Sequence, residues 1–328
     1  MKKNLLNLFN IKKDKVKRFY YPLHEDALSN YDLLAATKVL ISRQLTMSKK
    51  TIEFESYFKK KLGLNYCLMV NSGSSANLLA LFALINPLKK NRLKAGDECL
   101  VPAVCWATSL WPVIQAGLTP KLIDVDLDTF SINIDLIKKN ITKKTKAIMM
   151  INVLGNCSEI DEIQKFANDK NLYLIEDNCE SLGSKYKKKY LGSYGDFSSF
   201  SFYYSHQITA GEGGMIACKK KEDYDLLKTL RAHGWDRDLG KNKNKKFNFI
   251  NSGFNLRPLE VSAAIGLSQF KRLPRMMSIR TYNRNRIIKT LKKSNYWKEQ
   301  FIFFNHKKNL KPSWFGFPLL ISPKFKKN

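Results

Sequence analysis

Apolar positions along this chain change period repeatedly between residues 50 and 220. Residues 51–62 carry them at the three- and four-residue spacing of an amphipathic helix, 67–70 form a short unbroken run, and 74–85 return to helical spacing. Further short runs occupy 98–102, 120–125, 147–153 and 172–176, separated by helical patterns such as 158–171. Short apolar runs alternating with helices predict strands covered on both faces, hence an α/β domain of three layers with a mainly parallel sheet. Beyond the runs at 198–202 and 215–218 the pattern changes. Residues 223–232 read as a helix, 241–249 as a polar loop, and 258–292 as a helix interrupted at Pro274, where the ring removes a backbone donor. Residues 312–321 read as a buried strand ahead of a basic tail at 324–328. One or two strands with a helix leave open sheet edges, so a small C-terminal α/β domain is expected to be incomplete. The resulting division is a basic extension over 1–18, a large domain over 19–270 and a partial small domain over 271–328.

Composition narrows the class. Hydrophobic residues make up 44% of the 328, enough for a large core and too many for a disordered chain. No apolar run reaches membrane-spanning length, and the apolar stretch near the N-terminus is broken by asparagines and lacks a cleavage site. A cytoplasmic protein without a membrane span is expected. The net charge of +29 raises nucleic acid as a partner, yet the lysines are dispersed, many beside asparagine as in Lys241-Asn-Lys-Asn-Lys-Lys246. They read as solvated faces, with no specific nucleic-acid partner. The six cysteines include no Cys-x-x-Cys pair, and most read as small core residues, a pattern that fits a reducing compartment.

Several segments carry chemistry. Val70-Asn-Ser-Gly73-Ser74-Ser-Ala-Asn77 leaves a strand and opens a helix, an arrangement whose free N–H groups and hydroxyls suit a phosphate. Ile175-Glu-Asp177-Asn-Cys-Glu180 ends a strand with carboxylates, at the edge where open α/β sheets bind ligands. A carboxylate there can keep a pyridine nitrogen protonated. Trp106 follows the strand at 98–102 and offers a flat face, and Ser201 offers a hydroxyl five residues before His206. Histidine transfers protons near neutrality. Loops with Arg231-Ala-His233-Gly-Trp235 and Asn255-Leu-Arg257-Pro-Leu-Glu260 add polar groups. Taken singly, Trp106 reads as core packing and Asp177 and the loop groups as caps, turns or salt-bridged loops, while the turn at Gly73 is evenly balanced between a phosphate site and a plain turn.

Together these segments, with Val101-Pro-Ala-Val104 before Trp106, the Ser205-His206 turn ahead of Glu212-Gly-Gly214, and Ser313-Trp-Phe-Gly-Phe317, resemble the sugar-aminotransferase family of fold-type I pyridoxal phosphate enzymes. The resemblance runs from about residue 19 to 321. In that family a lysine holds the cofactor at the place His206 occupies, and histidine cannot form the imine. A branch with this exchange removes a hydroxyl from a sugar. The resemblance therefore implies 3-dehydration of a nucleotide-linked 4-keto-6-deoxyhexose, with GDP-4-keto-6-deoxymannose the expected sugar, in dideoxysugar and surface-polysaccharide synthesis. It implies pyridoxal 5′-phosphate and pyridoxamine 5′-phosphate as cofactor forms, glutamate as amino donor, and a homodimer with shared active sites.

By the same resemblance Gly73, Ser74 and Ser201 hold the cofactor phosphate, Trp106 stacks on the ring, Asp177 meets the pyridinium nitrogen and Glu180 lies nearby. Asn255 reaches the neighbouring subunit's phosphate, His233 and Arg257 contact substrate, and His206 is the general acid/base. A related group adds an iron–sulfur cluster whose cysteines lie partly in the loop corresponding to 236–249, which holds none here, so no cluster is expected. Family members extend further at the C-terminus. Two alternatives stand beside the dehydratase at this point, an inactive or cofactor-binding remnant and a nucleotide-sugar aminotransferase.

Overall fold

The computed structural model describes residues 27–240, 247–304 and 306–325. The expected extension over 1–18, most of the polar loop (241–246) and the last residues of the basic tail (326–328) lie outside them.

The apolar runs form the strands β1 (Tyr66–Val70), β2 (Glu98–Pro102), β3 (Thr119–Ile123), β4 (Thr145–Ile151) and β5 (Tyr173–Asp177). Two short strands, β6 (Lys185–Tyr186) and β7 (Lys189–Tyr190), precede β8 (Phe197–Ser201) and β9 (Gly214–Cys218). Seven of these make one sheet in the order β1-β9-β8-β5-β4-β2-β3. Only β9 runs against its neighbours; the other pairings are parallel.

Alternation along the strands sorts side chains between two helix layers. Leu68 and Val70 of β1 join one apolar cluster and Cys67 and Met69 another. In β4, Ala147, Met149 and Ile151 face the first cluster while Ile148 and Met150 face a third. The helices are α1 (Asn30–Ser42), α2 (Lys49–Leu62), α3 (Gly73–Leu84), α4 (Ala107–Gln115), α5 (Ile134–Asn140), α6 (Ile160–Asp169), α7 (Lys221–Arg231) and α8 (Glu260–Lys293). α3, α4 and α7 cover one face; α2 and α8, with α5 and α6, cover the other. This is the expected three-layer α/β architecture.

α2 illustrates how the layers lock. Phe54, Phe58 and Leu62 fall on one stripe and are buried, each of them stabilising the fold by about 1.5–3 kcal/mol relative to exposure. Phe58 stacks on Phe270 of α8 at 4.8 Å and meets Phe200 of β8 edge-on at 5.0 Å. The N-terminus of α2 is capped from outside: the buried Glu260 carboxylate accepts the N–H of Ser48 (2.8 Å), the N–H of Thr51 (3.1 Å) and the Thr51 hydroxyl (2.9 Å). That capping joins α2 to the first residue of α8.

Two expectations fail. The interruption at Pro274 does not occur, and α8 is one helix of 34 residues. Its apolar stripe continues across the proline, with Phe270 and Leu273 before it and Met276 and Met277 after it packed in one cluster. That packing offsets the lost donor, a cost of about 3 kcal/mol in an unsupported helix. The second failure is the buried strand over 312–321. β10 (Phe301–Phe303), β11 (Leu310–Lys311) and β12 (Leu319–Ile321) are separate short strands, and Ile321 is 66% exposed. Pro312 and Pro318 have no donor for a ladder, and the intervening donors are engaged elsewhere. The Ser313 N–H donates to the Ser184 hydroxyl (2.8 Å) and the Phe315 N–H to the Leu154 carbonyl (3.2 Å). The segment is an irregular strap, with only Ser313 and Trp314 buried between Lys311 and Ile321. No helix among the described residues is long and apolar enough to cross a membrane.

Candidate active site

β1 and β8 both run antiparallel to β9, so they point the same way as β5, β4 and β2. All five strands end at one edge, and the loops leaving them enclose a cleft of about 770 Å³. Its lining includes Gly73 and Ser74 at the start of α3, Trp106 ahead of α4, Asp177 and Ser201 at the ends of β5 and β8, and His206 in the turn after β8.

At one end lies the start of α3. The Ser72 hydroxyl accepts the Ser75 N–H (3.1 Å), which caps the helix and presents Gly73 and Ser74 as its first residues. Gly73 is required by contact: a Cβ there would stand 2.5 Å from Ser201 Cβ and 2.8 Å from Cys179 Sγ. Gly214 is equally confined, with a Cβ placed 2.3 Å from the Ser72 carbonyl oxygen. The helix start, the end of β8 and the start of β9 thus meet without intervening side chains. Free N–H groups at the positive helix end and the hydroxyls of Ser74 and Ser201 form an anion cradle.

Asp177 forms the floor. It is buried, and its Oδ2 accepts from Asn77 Nδ2 and Ser109 Oγ, each at 2.7 Å, while Oδ1 accepts the Cys179 N–H at 3.0 Å. These three neutral donors orient both oxygens, and no cationic side chain pairs with the carboxylate among the described residues. A buried carboxylate held this way favours a cationic ligand group. Asn77 stands one turn inside α3 and Ser109 in the first turn of α4; neither was singled out as a site residue. Their signal was the spacing from Gly73 and from Trp106, which puts each on the cleft side of its helix.

Trp106 is the N-cap residue of α4 and is 75% exposed, so it is cleft wall and not core. Glu180 is half-buried and accepts the Leu154 N–H at 2.8 Å; burial raises its carboxyl above the usual range. Glu176, its neighbour in the acidic motif, belongs to the scaffold. It is fully buried and accepts the N–H groups of Gly192 (2.8 Å), Tyr194 (2.7 Å) and Gly195 (2.6 Å), fixing the turn into β8. Cys105 and Cys179 line the cleft, whereas Cys67, Cys99, Cys157 and Cys218 are core residues. No group of three or more His, Cys, Asp or Glu among the described residues is arranged to hold a metal ion.

His206 sits in the turn after β8, its N–H donating to the Tyr203 carbonyl at 3.0 Å. The imidazole lies edge-on to Tyr203 (5.9 Å) and to Phe315 of the strap (5.1 Å between centroids, 80° between planes). Its Nδ1 is buried without a hydrogen-bond partner among the described residues. Burial pushes its pKa down to about 4, with Asp177 opposing and Arg280 adding to the shift. The ring is neutral at physiological pH and ready to accept a proton. Phe315 entered the sequence reading only as part of a motif, because nothing local ties it to a histidine more than a hundred residues earlier.

Three site candidates lie elsewhere. Asn255, His233 and Arg257 do not line the cleft. They form their own cluster, with Arg257 Nε donating to Asn255 Oδ1 (3.0 Å) and its Nη2 3.5 Å from His233 Nε2. Asn255 and His233 are exposed. Arg231 and Glu260 from the same motifs are buried structural residues, Arg231 donating to the Met69 carbonyl at 2.8 Å and pairing with Glu55 at 3.2 Å.

The cleft as built, with an anion cradle at one end, a buried carboxylate on the floor and an exposed indole on the wall, fits a planar cationic ring bearing a phosphate. Comparison with known proteins agrees. The chain is 41% identical over 313 residues to GDP-4-keto-6-deoxy-D-mannose 3-dehydratase of Escherichia coli O55:H7, covering 92% of this chain and 79% of that protein. A structure of the E. coli GDP-4-keto-6-deoxy-D-mannose-3-dehydratase with bound hydrated PLP superposes with a TM-score of 0.86 at 38% identity, covering 93% of this chain and 79% of the other. A mutant of GDP-4-keto-6-deoxymannose-3-dehydratase with bound GDP-perosamine gives 0.85 at 39%, covering 92% and 80%. The model of the DegT/DnrJ/EryC1/StrS aminotransferase family matches residues 27–328, and the chain belongs to that family.

Proposed function

We propose that this chain is a pyridoxal phosphate-dependent 3-dehydratase of a nucleotide-linked 4-keto-6-deoxyhexose, with GDP-4-keto-6-deoxymannose as substrate and glutamate as amino donor. The observation that carries this reading is the kind of base in the cleft. A neutral imidazole, His206, lines it, and no lysine is among the lining residues. An aminotransferase needs an amine to recapture the cofactor, so the cleft favours dehydration. The relatives that act on or bind GDP-sugars support the nucleotide.

Gly73, Ser74 and Ser201 would hold the cofactor phosphate, Asp177 the pyridinium nitrogen, and Trp106 one face of the ring, with Glu180 beside it. Bound there, the cofactor supplies an electron sink that allows the bond to a leaving hydroxyl on the neighbouring carbon to break. His206 would take up on its neutral imidazole the proton lost from the carbon attached to the ring and give it to the C3 hydroxyl oxygen, which would depart as water. Asp177, oriented by Asn77 and Ser109, would favour the protonated form of the ring nitrogen. Phe315 and Tyr203 flank the imidazole with apolar surface and restrict water around it.

Asn255, His233 and Arg257 serve the cleft of a second copy in a homodimer with shared sites, Asn255 at the phosphate and the other two at the substrate. Their position outside their own cleft supports this assignment. A cytoplasmic setting follows from the substrates, since both the nucleotide sugar and glutamate are supplied there.

The test is turnover of GDP-4-keto-6-deoxymannose with glutamate and pyridoxal phosphate, read by mass spectrometry of the sugar. We expect a 3-deoxy-4-keto product from wild type and a rate about 10²–10⁴-fold lower from His206→Asn, with cofactor binding retained. Unchanged sugar with full cofactor occupancy in wild type would overturn the reading and favour a cofactor-binding remnant.

A further inference from the structure

The turn carrying His206 is held from behind by a residue far away in sequence. Arg280, halfway along α8, donates from Nη2 to the His206 carbonyl (3.4 Å) and from Nη1 to the Trp314 carbonyl (3.3 Å). Trp314 immediately precedes Phe315, whose ring meets the imidazole edge-on at 5.1 Å. One guanidinium therefore binds the backbone of the base and the backbone of the residue whose side chain covers it. Gln207 strengthens the same junction, its Nε2 donating to the Glu180 carbonyl and to the Ser313 carbonyl (3.4 Å). Arg280 forms no ion pair with a carboxylate among the described residues.

We propose that Arg280 is a positioning residue for His206: its fork ties the backbone of the His206 turn to the backbone of the segment that carries Phe315 over the imidazole. A planar fork reaches two carbonyls on separate segments at once, which an ammonium does not do with the same geometry. Arg280 forms no ion pair among the described residues, so its charge acts on the half-buried imidazole beside it. The charged groups around His206 come from three sides. Asp177 at the end of β5 and Glu180 just after it favour the imidazolium; Glu212, ahead of β9, lines the same cleft with the same sign; Arg280 on α8 opposes them. Burial and Arg280 depress the ring's basicity and Asp177 raises it. Burial is the largest cause and remains when Arg280 is removed, so the pKa rises but stays below 6.5.

The part of this inference that concerns catalysis rests on the dehydratase reading; the part that concerns titration does not. The chain has four histidines, His24, His206, His233 and His306, so NMR of the ¹³C-histidine-labelled full chain can follow each ring, with His206→Asn giving the assignment. The titration needs neither cofactor nor substrate. We expect His206 to titrate lowest in wild type, to move up in Arg280→Gln, and to stay low in Arg280→Lys, which keeps the charge. In turnover, Arg280→Lys and Arg280→Gln should both lose about 10- to 100-fold in kcat with little change in KM, because a misplaced base slows the chemical step. A folded Arg280→Gln chain, with His233 and His306 titrating as in wild type and His206 unmoved, overturns the proposal. So does full kcat in Arg280→Lys, which decides the matter if Arg280→Gln does not fold. Absence of turnover in wild type would sink the dehydratase reading while the titration still decided the role of Arg280.

Discussion

At the scale of single residues, His206 concentrates the account, and its identity and its environment have separate sources. Its identity was legible, since a histidine ahead of Glu212-Gly-Gly214 stands where the family carries lysine. Its environment was not. Burial against Phe315 and the charge of Arg280, which is 74 positions away, come from packing that no local pattern encodes. That environment has a thermodynamic consequence. With a folded pKa of about 4 against the ordinary 6.5, the unfolded chain takes up a proton between those values that the folded chain refuses. The contribution of His206 to stability is therefore complete above pH 6.5 and declines as pH falls toward 4. Urea unfolding should show wild type losing stability relative to His206→Asn over that window and a constant difference above it. Equal acid sensitivity in the two chains contradicts the low pKa. Trp106 teaches the reverse lesson. Taken alone it reads as core, but as the N-cap residue of α4 it lies 75% exposed on the cleft wall.

At the scale of elements, the strands of the central sheet were legible because all of them except the edge strand β3 are almost wholly buried, whereas the two-residue strands β6 and β7 carry no apolar run and were not foreseen. The regions that misled are those where tertiary contacts replace local rules. α8 passes Pro274 because its stripe packs on both sides of it, and the 312–321 strap leaves strand geometry because Ser184 and Leu154 take its donors. The anion cradle proposed for the cofactor phosphate is also an element-scale device, made by bringing the start of α3 against the end of β8. Gly73→Ala places a methyl 2.5 Å from Ser201 Cβ, and forcing those segments apart costs about 1–3 kcal/mol. We expect pyridoxal phosphate affinity to fall at least about 10-fold. Affinity for pyridoxal, which lacks the phosphate, should change far less. Fluorescence titration with the two ligands measures this, and an equal loss for both would place the phosphate elsewhere.

At the scale of the whole molecule, one edge of the sheet gathers the residues of the cleft, while Asn255, His233 and Arg257 form a second polar cluster that is not part of its lining. Their spacing in sequence revealed polar loops; only the fold reveals that they are not among the residues lining the cleft. α8 links these scales. Its first turn caps α2 through Glu260, its middle packs the Phe54–Phe58–Phe270 cluster, and Arg280 reaches the His206 turn. The surplus of 57 Lys and Arg over 28 Asp and Glu suits encounter with a nucleotide diphosphate, whose negative charge a basic surface attracts. The central claim is that the imidazole at position 206 directs the amino group of glutamate out of the product. It is tested most directly by following the nitrogen, with ¹⁵N-glutamate, pyridoxal phosphate and GDP-4-keto-6-deoxymannose in one reaction. The account predicts labelled ammonium in step with the 3-deoxy-4-keto sugar and no label in any sugar; ¹⁵N retained in an amino sugar would contradict it.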